Sequence, residues 1–167
     1  KVLLVGNSHA DSIKATFVEA AQVQNVSVFF TVENAPLQQG GISPERLMKE
    51  ALRLNAEAIV LHYAPDSLSR PTIEQVARLA KENGIQVSFI MPVPVWDRHV
   101  PKMLWEAMEN GTPVDAQSLQ DYRRANVQTY TATRLPHLKV YEVAGIFCQE
   151  QCRLLGAGGK PLYFDKH

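Results

Sequence analysis

The chain has 167 residues, 46% of them hydrophobic and 20% charged, and its 17 basic side chains balance 17 acidic ones. Those values suit one ordinary globular domain and exclude a disordered or fibrous chain, while charge balance without a basic stripe argues against nucleic acid as a partner. The longest apolar runs, such as Val26-Ser27-Val28-Phe29-Phe30, are strand-length and too short to span a bilayer, and no signal-peptide pattern precedes Lys1, so the chain reads as a domain cut from a longer protein.

Lys1-Val2-Leu3-Leu4-Val5 has the branched apolar character of a buried strand, and Gly6-Asn7-Ser8 ends it with a turn. A helix is expected from about Ala10 to Gln24, with Ile13, Phe17, Ala20 and Ala21 on its apolar face. A second strand covers 26–32, and a loop covers 33–43. Ser43-Pro44-Glu45-Arg46 carries helix-start signals: a capping hydroxyl, proline at the first helical position and an acid in the first turn. Leu47, Met48, Ala51, Leu52 and Leu54 supply that helix's apolar face. Ala58 to His62 is a third strand, and Thr72 to Asn83 a helix ended by Gly84. Ile85 to Met91 is a fourth strand, stopped by Pro92-Val93-Pro94.

Residues 95–114 read as irregular or briefly helical, Asp115 to Leu135 as one long helix and Leu138 to Val143 as a fifth strand. A cysteine-bearing segment, a glycine-rich turn and Pro161-Leu162-Tyr163-Phe164-Asp165 follow. The regular alternation of strands and helices predicts a three-layer α/β/α, flavodoxin-like domain over 1–167, built on a mostly parallel five-stranded sheet. Sites in such sheets form at the carboxyl ends of the strands.

Ser8 directly follows the first strand, where helix-terminal N–H groups stabilise an anion formed beside it. That placement suits a serine nucleophile, and it equally suits a plain helix cap. At the other end, Asp165-Lys166-His167 sets an acid beside a histidine, the pairing that orients a catalytic base. No His, Cys, Asp or Glu spacing resembles a metal site, no phosphate-binding glycine motif follows a strand, and no cofactor is expected.

Taken together, Val2-Leu3-Leu4-Val5-Gly6-Asn7-Ser8-His9-Ala10 resembles the first block of the SGNH hydrolase family, in the variant of SGNH domains fused to acyltransferase-three membrane proteins. Pro161-Leu162-Tyr163-Phe164-Asp165 resembles that group's final block, Ile90-Met91-Pro92-Val93-Pro94 its Pro-x-Pro strand end, and Cys148 with Cys152 its paired cysteines. The resemblance implies that Ser8 is the nucleophile, that Asp165 orients the imidazole and that the Ser8 N–H donates to the oxyanion. In the family pattern the histidine stands three residues after the aspartate. Here that is position 168, so either the base is that residue or His167 serves with altered spacing. The family's second oxyanion donor is a glycine after the second strand, here Gly40 or Gly41; its third is an Asn after the third strand, where this chain has His62-Tyr63-Ala64 and Tyr63 as a candidate.

The resemblance also implies a periplasmic or extracytoplasmic domain of a bacterial inner-membrane protein, joined to a transmembrane acyltransferase domain, with Cys148 and Cys152 in a disulfide. Its partners would be an acyl donor and a sugar or polysaccharide acceptor, such as the O-antigen of lipopolysaccharide. The leading expectation is O-acetyl transfer through an acyl-enzyme on Ser8. Two alternatives are a carbohydrate O-acetylesterase and a non-catalytic carbohydrate-binding domain of the same fold. Trp96 and Trp105 stand where loops shape a pocket, to stack on a sugar or to pin the loop. His9, beside Ser8, reads as lining the pocket or as contacting solvent, His99 and His137 read as surface, and the direction of His62 stays open.

Overall fold

The structure is a computed structural model that describes residues 1–114, 117–126, 135, 137–163 and 165–166. These fall into two compact units, one formed by 1–92 and 127–142 and the other by 93–126 and 143–167.

The first unit is built on five parallel strands: β1 (Val2–Gly6), β2 (Val28–Val32), β3 (Ala58–His62), β4 (Gln86–Ile90) and β5 (Leu138–Tyr141). Their order is β2-β1-β3-β4-β5, that of flavodoxin-like sheets, and the parallel sheet is the one expected from the alternating pattern. Register places Phe29, Leu3, Ile59, Val87 and Leu138 in one row across the sheet, and Thr31, Val5, Leu61, Phe89 and Val140 in a second row. Two residues separate the rows along each strand, so both face the same side. There α3 (Pro44–Arg53) and α4 (Arg70–Glu82) cover them with Leu47, Met48, Ala51, Ile73, Val76 and Ala80, which complete one core cluster. Each fully buried aliphatic side chain in it contributes roughly 1.5–3 kcal/mol.

The helix expected from Ala10 to Gln24 is two helices, α1 (Ser8–Ser12) and α2 (Lys14–Val23), separated at Ile13. No residue of α2 is buried; Phe17 is half-buried and Ala20, expected inward, is exposed. Three helices lead into strands through the same left-handed exit. Asn25, Asn55 and Gly84 take φ of 52°, 52° and 69°, and the next N–H returns to Ala21, Ala51 and Ala80 respectively. This is the Schellman closure, which tolerates Asn as well as Gly.

The second unit carries α5 (Val100–Asn110), α6 (Leu119–Ala125) and α7 (Ala144–Phe147). The eleven-residue α5 occupies the middle of the segment 95–114, expected as irregular or briefly helical. Its Pro101 lies in the first turn, where a missing N–H costs nothing. Of the long helix expected from Asp115 to Leu135, the structure shows α6, started by a Ser118–Asp121 capping box. Residues 115–116 and 127–134 lie outside the described residues.

At the carboxyl edge of the sheet, Gly6 pairs with His62. A Cβ on Gly6 would lie 1.9 Å from the His62 carbonyl oxygen and 2.5 Å from Ala10 Cβ. The first of these is backbone and cannot swing aside. Gly6→Ala is therefore expected to lose about 3 kcal/mol or more, at the upper end of overpacking costs. Urea unfolding measures it, and an unchanged midpoint would contradict this close approach.

Candidate active site

The turn after β1 is organised by Asn7, a residue to which the sequence reading gives no role. Asn7 is the N-cap of α1, and it is buried. Its Oδ1 accepts from the N–H of His9 at 3.2 Å and from the N–H of Ala64 at 3.2 Å. Its Nδ2 donates to Ser67 Oγ at 3.1 Å. One amide side chain thus caps the His9 N–H at the start of α1 and ties that start to the loop after β3. With the cap supplied by Asn7, Ser8 is the first helical residue, and its side chain is exposed. The helix-cap reading of Ser8 is displaced for that reason. Its N–H is one of the first-turn donors that lack an intrahelical acceptor. Because α1 has only five residues, the donor for an anion here is this local N–H rather than a long helix dipole.

Ser67 joins three loops of the sheet's carboxyl edge. Its Oγ accepts from Asn7, its carbonyl accepts from Leu37 N–H at 3.0 Å, and its own N–H donates to Ala64 carbonyl at 3.0 Å. The loop after β2 is thereby held beside the turn that carries Ser8. Gly40 in that loop has φ +83° and spends its N–H on the Gln38 carbonyl at 3.1 Å. At Gly41 a Cβ would meet the Pro36 carbonyl oxygen at 2.6 Å, so close backbone approach requires glycine there. The side chain of Tyr63 lies in the core cluster, and its phenol is pushed well above its ordinary range, first by burial and then by Glu33.

Of the two readings of His9, solvent contact is excluded: it is buried, and its ring meets His62 edge-on at 5.7 Å. His62 is buried too, and its Nδ1 lies 3.1 Å from the Ile90 carbonyl, which fixes Nδ1 as the protonated nitrogen of the neutral ring. Burial lowers the His62 pKa, with the Ile90 carbonyl opposing. The sign follows: below the ordinary histidine pKa the unfolded chain takes up a proton that the folded ring resists, so this group's contribution to stability falls with acidification. His99 and His137 are exposed, as expected.

In the second unit, the segment bearing Asp165 is bonded to the start of α5. Val100 N–H donates to the Asp165 carbonyl at 2.7 Å, and Trp96 N–H to the Lys166 carbonyl at 2.8 Å. Tyr163, two residues before Asp165, is buried with Trp96, Val100, Met103, Cys148 and Cys152, and meets Trp96 edge-on at 5.6 Å. Burial raises the Tyr163 pKa, with Trp96 and Arg153 opposing. The sulfurs of Cys148 and Cys152 are bonded to each other within this cluster. Trp96 therefore pins its loop, whereas Trp105 is exposed. Phe164 and His167 lie outside the described residues. No group of three or more metal-binding side chains occurs among the described residues, and no described helix is long and apolar enough to cross a membrane.

Asn7→Ala would strand the buried His9 N–H, at about 1–3 kcal/mol, and the partly buried Ala64 N–H. A loss of about 2–4 kcal/mol on chemical unfolding is the expected outcome. Asn7→Asp, which keeps the acceptor oxygen, should lose less than half as much. Equal losses in the two variants would contradict the double acceptance.

The family model of the SGNH domain fused to AT3 domains matches residues 1–167. No curated protein matches the chain by sequence. Among solved structures, the periplasmic domain of a lipopolysaccharide acetyltransferase from Salmonella ser. Paratyphi A superposes with a TM-score of 0.64 at 16% identity. The match covers 99% of this chain and 75% of that one. The shared fold agrees with the parallel sheet, and the family match over the full length makes the chain a member of the SGNH domain family found fused to AT3 domains.

Proposed function

We propose that the chain acts as one SGNH domain that transfers an O-acetyl group to a cell-surface polysaccharide, with Ser8 as the nucleophile. Membership of an acyl-chemistry family supports the reaction class. The observation that carries the residue assignment is the exposed Ser8, relieved of capping by Asn7 and fixed at the carboxyl edge of a parallel sheet. In the proposed step, Ser8 Oγ attacks the acyl carbonyl while a histidine takes its proton, and the carbonyl oxygen becomes an oxyanion. The Ser8 N–H faces that charge first. Of the two glycines after β2, Gly41 is the proposed second donor, because the Gly40 N–H already serves Gln38. Collapse of the intermediate expels the donor's leaving group, which takes the proton from the histidine. An acceptor hydroxyl then attacks the acyl-enzyme as the histidine takes its proton, and Ser8 Oγ leaves the acyl carbon and receives that proton from the histidine.

Asp165 is proposed to orient the imidazole of residue 168, or of His167. Support for its role comes from the backbone bonds that fix its segment to α5 and from the buried Tyr163 beside it. The proposed setting is the periplasmic face of a bacterial inner membrane, with the acyl donor delivered by a fused transmembrane acyltransferase domain. The AT3 fusion in the family's description and the periplasmic origin of the solved neighbour support it. Water in place of the sugar would make the same site an esterase.

The test uses a chain extended several residues past His167, with p-nitrophenyl acetate as acyl donor. Turnover is expected in the wild type. It should fall to background in Ser8→Ala and by about 10⁴-fold in kcat in Asp165→Asn, the scale seen when a triad loses its orienting acid. Equal rates in wild type and Ser8→Ala would reject the nucleophile and favour a non-catalytic carbohydrate-binding domain.

A further inference from the structure

The amino edge of the sheet, at the opposite end of the strands from the turn that carries Ser8, holds a cavity of about 420 Å³. It lies within the first unit, between the end of α4 and the starts of β4 and β5. Its floor is the buried Ile85, Val87 and Leu138, and its rim the exposed Lys81, His137 and Lys139. A Cβ added at Gly84, also on the rim, would meet nothing within 4 Å, so that side stays open.

The charge of the rim has one sign. No carboxylate lines the cavity. The side chains of Lys81, His137 and Lys139 make no hydrogen bond or ion pair among the described residues. Carboxylates of the neighbouring segments are engaged elsewhere: Glu82 pairs with Arg78 at 2.9 Å, and Glu57, whose carbonyl accepts from Gln86 N–H, pairs with the amino terminus at 3.1 Å. The sequence from 127 to 139 contains no Asp or Glu. The carbonyls of Leu79, Ala80 and Lys81, which end α4 beside the cavity, are taken up by the Asn83 amide and by the N–H groups of Asn83, Gly84 and Ile85, so they do not confront an anion. Concavities with one sign of charge and apolar walls concentrate counter-ions.

His137 adds a second observation. Its φ is +72°, a region that costs an L side chain strain and costs glycine none. The turn into β5 thus carries its imidazole at a cost. That ring offers an N–H donor in either charge state, beside two ammonium groups with three donors each. Ammonium groups are point-charge partners of phosphate oxygens.

We propose that this cavity binds a phosphate group, free or at the head of a lipid, independently of the reaction proposed for Ser8. The test is saturable chemical-shift change in the ¹⁵N-labelled chain, with glycerol phosphate raised to about 50 mM at constant ionic strength, where a millimolar site is nearly full. The amides of Lys81, Gly84, His137 and Lys139 should move, and glycerol alone should leave them still. Lys81→Gln and Lys139→Gln should each weaken binding about fivefold, the effect of losing one charge about 4 Å away in water. Lys49→Gln, an exposed lysine on α3, should leave it unchanged. Sedimentation with vesicles then separates the sources. Capture by phosphatidylglycerol vesicles but not by phosphatidylcholine, lost in the double variant, assigns the phosphate to a lipid; glycerol phosphate binding without capture assigns a soluble phosphate compound. No saturable shift at these amides, or an equal loss in Lys49→Gln, would overturn the proposal whatever the vesicles do.

Discussion

The three hydrogen bonds of the Asn7 side chain are the constraint on which the site in the first unit depends. A strand that ends under a helix must satisfy the first N–H groups of that helix, and it must do so where three loops converge. Asn7 meets both needs with one amide: two N–H groups on its oxygen and Ser67 on its nitrogen. Gly6 makes the geometry possible, since any larger residue would strike the His62 carbonyl. Ser67 extends the same network to the loop after β2 through Leu37. The consequence for chemistry is indirect but specific. A serine that had to cap its own helix would have its hydroxyl engaged with backbone N–H, whereas Ser8 is left exposed one position further on.

The second unit solves a different problem, that of holding a C-terminal segment with little regular structure. Its small core combines Trp96, Val100, Met103 and Tyr163 with the bonded pair Cys148 and Cys152. Backbone bonds from Trp96 and Val100 then fix Lys166 and Asp165. The orienting role proposed for Asp165 would call for rigid support more than for a helix, and these backbone bonds tie its segment to the start of α5.

Much of the architecture was legible because strands buried on both faces are written as short branched runs. Ala58–His62 is found with the bounds its composition suggests. The helix starts at Ser43 was legible for a similar local reason: a capping hydroxyl beside a proline has one comfortable conformation. Where local signals compete, the reading fails. Asn7 and Ser8 are both good caps, and only the Ala64 N–H, distant in sequence, decides between them. The prolines and tryptophans of 95–114 suggested a chain irregular or at most briefly helical, but Pro101 sits in the first turn of α5, where it is tolerated, and the helix runs for eleven residues. The choice for His9 between pocket and solvent was open in the sequence because its ring packs on His62, which is distant in the chain and lies on β3. The exits at Asn25 and Asn55 had no glycine to announce them. The proposed pairing of acid and nucleophile came from resemblance of the two chain ends, since nothing local in either segment specifies the other.

The most direct test of the central claim, that the turn held by Asn7 presents Ser8 as a reactive nucleophile, is covalent labelling. The chain extended past His167 would be treated with a serine-directed fluorophosphonate, and the adduct located by peptide mass spectrometry. The account predicts a single adduct on the peptide containing Ser8, formed at a rate that drops in Asn7→Ala at temperatures where that variant stays folded. No adduct, or an adduct on another serine with Ser8 unmodified, would contradict it.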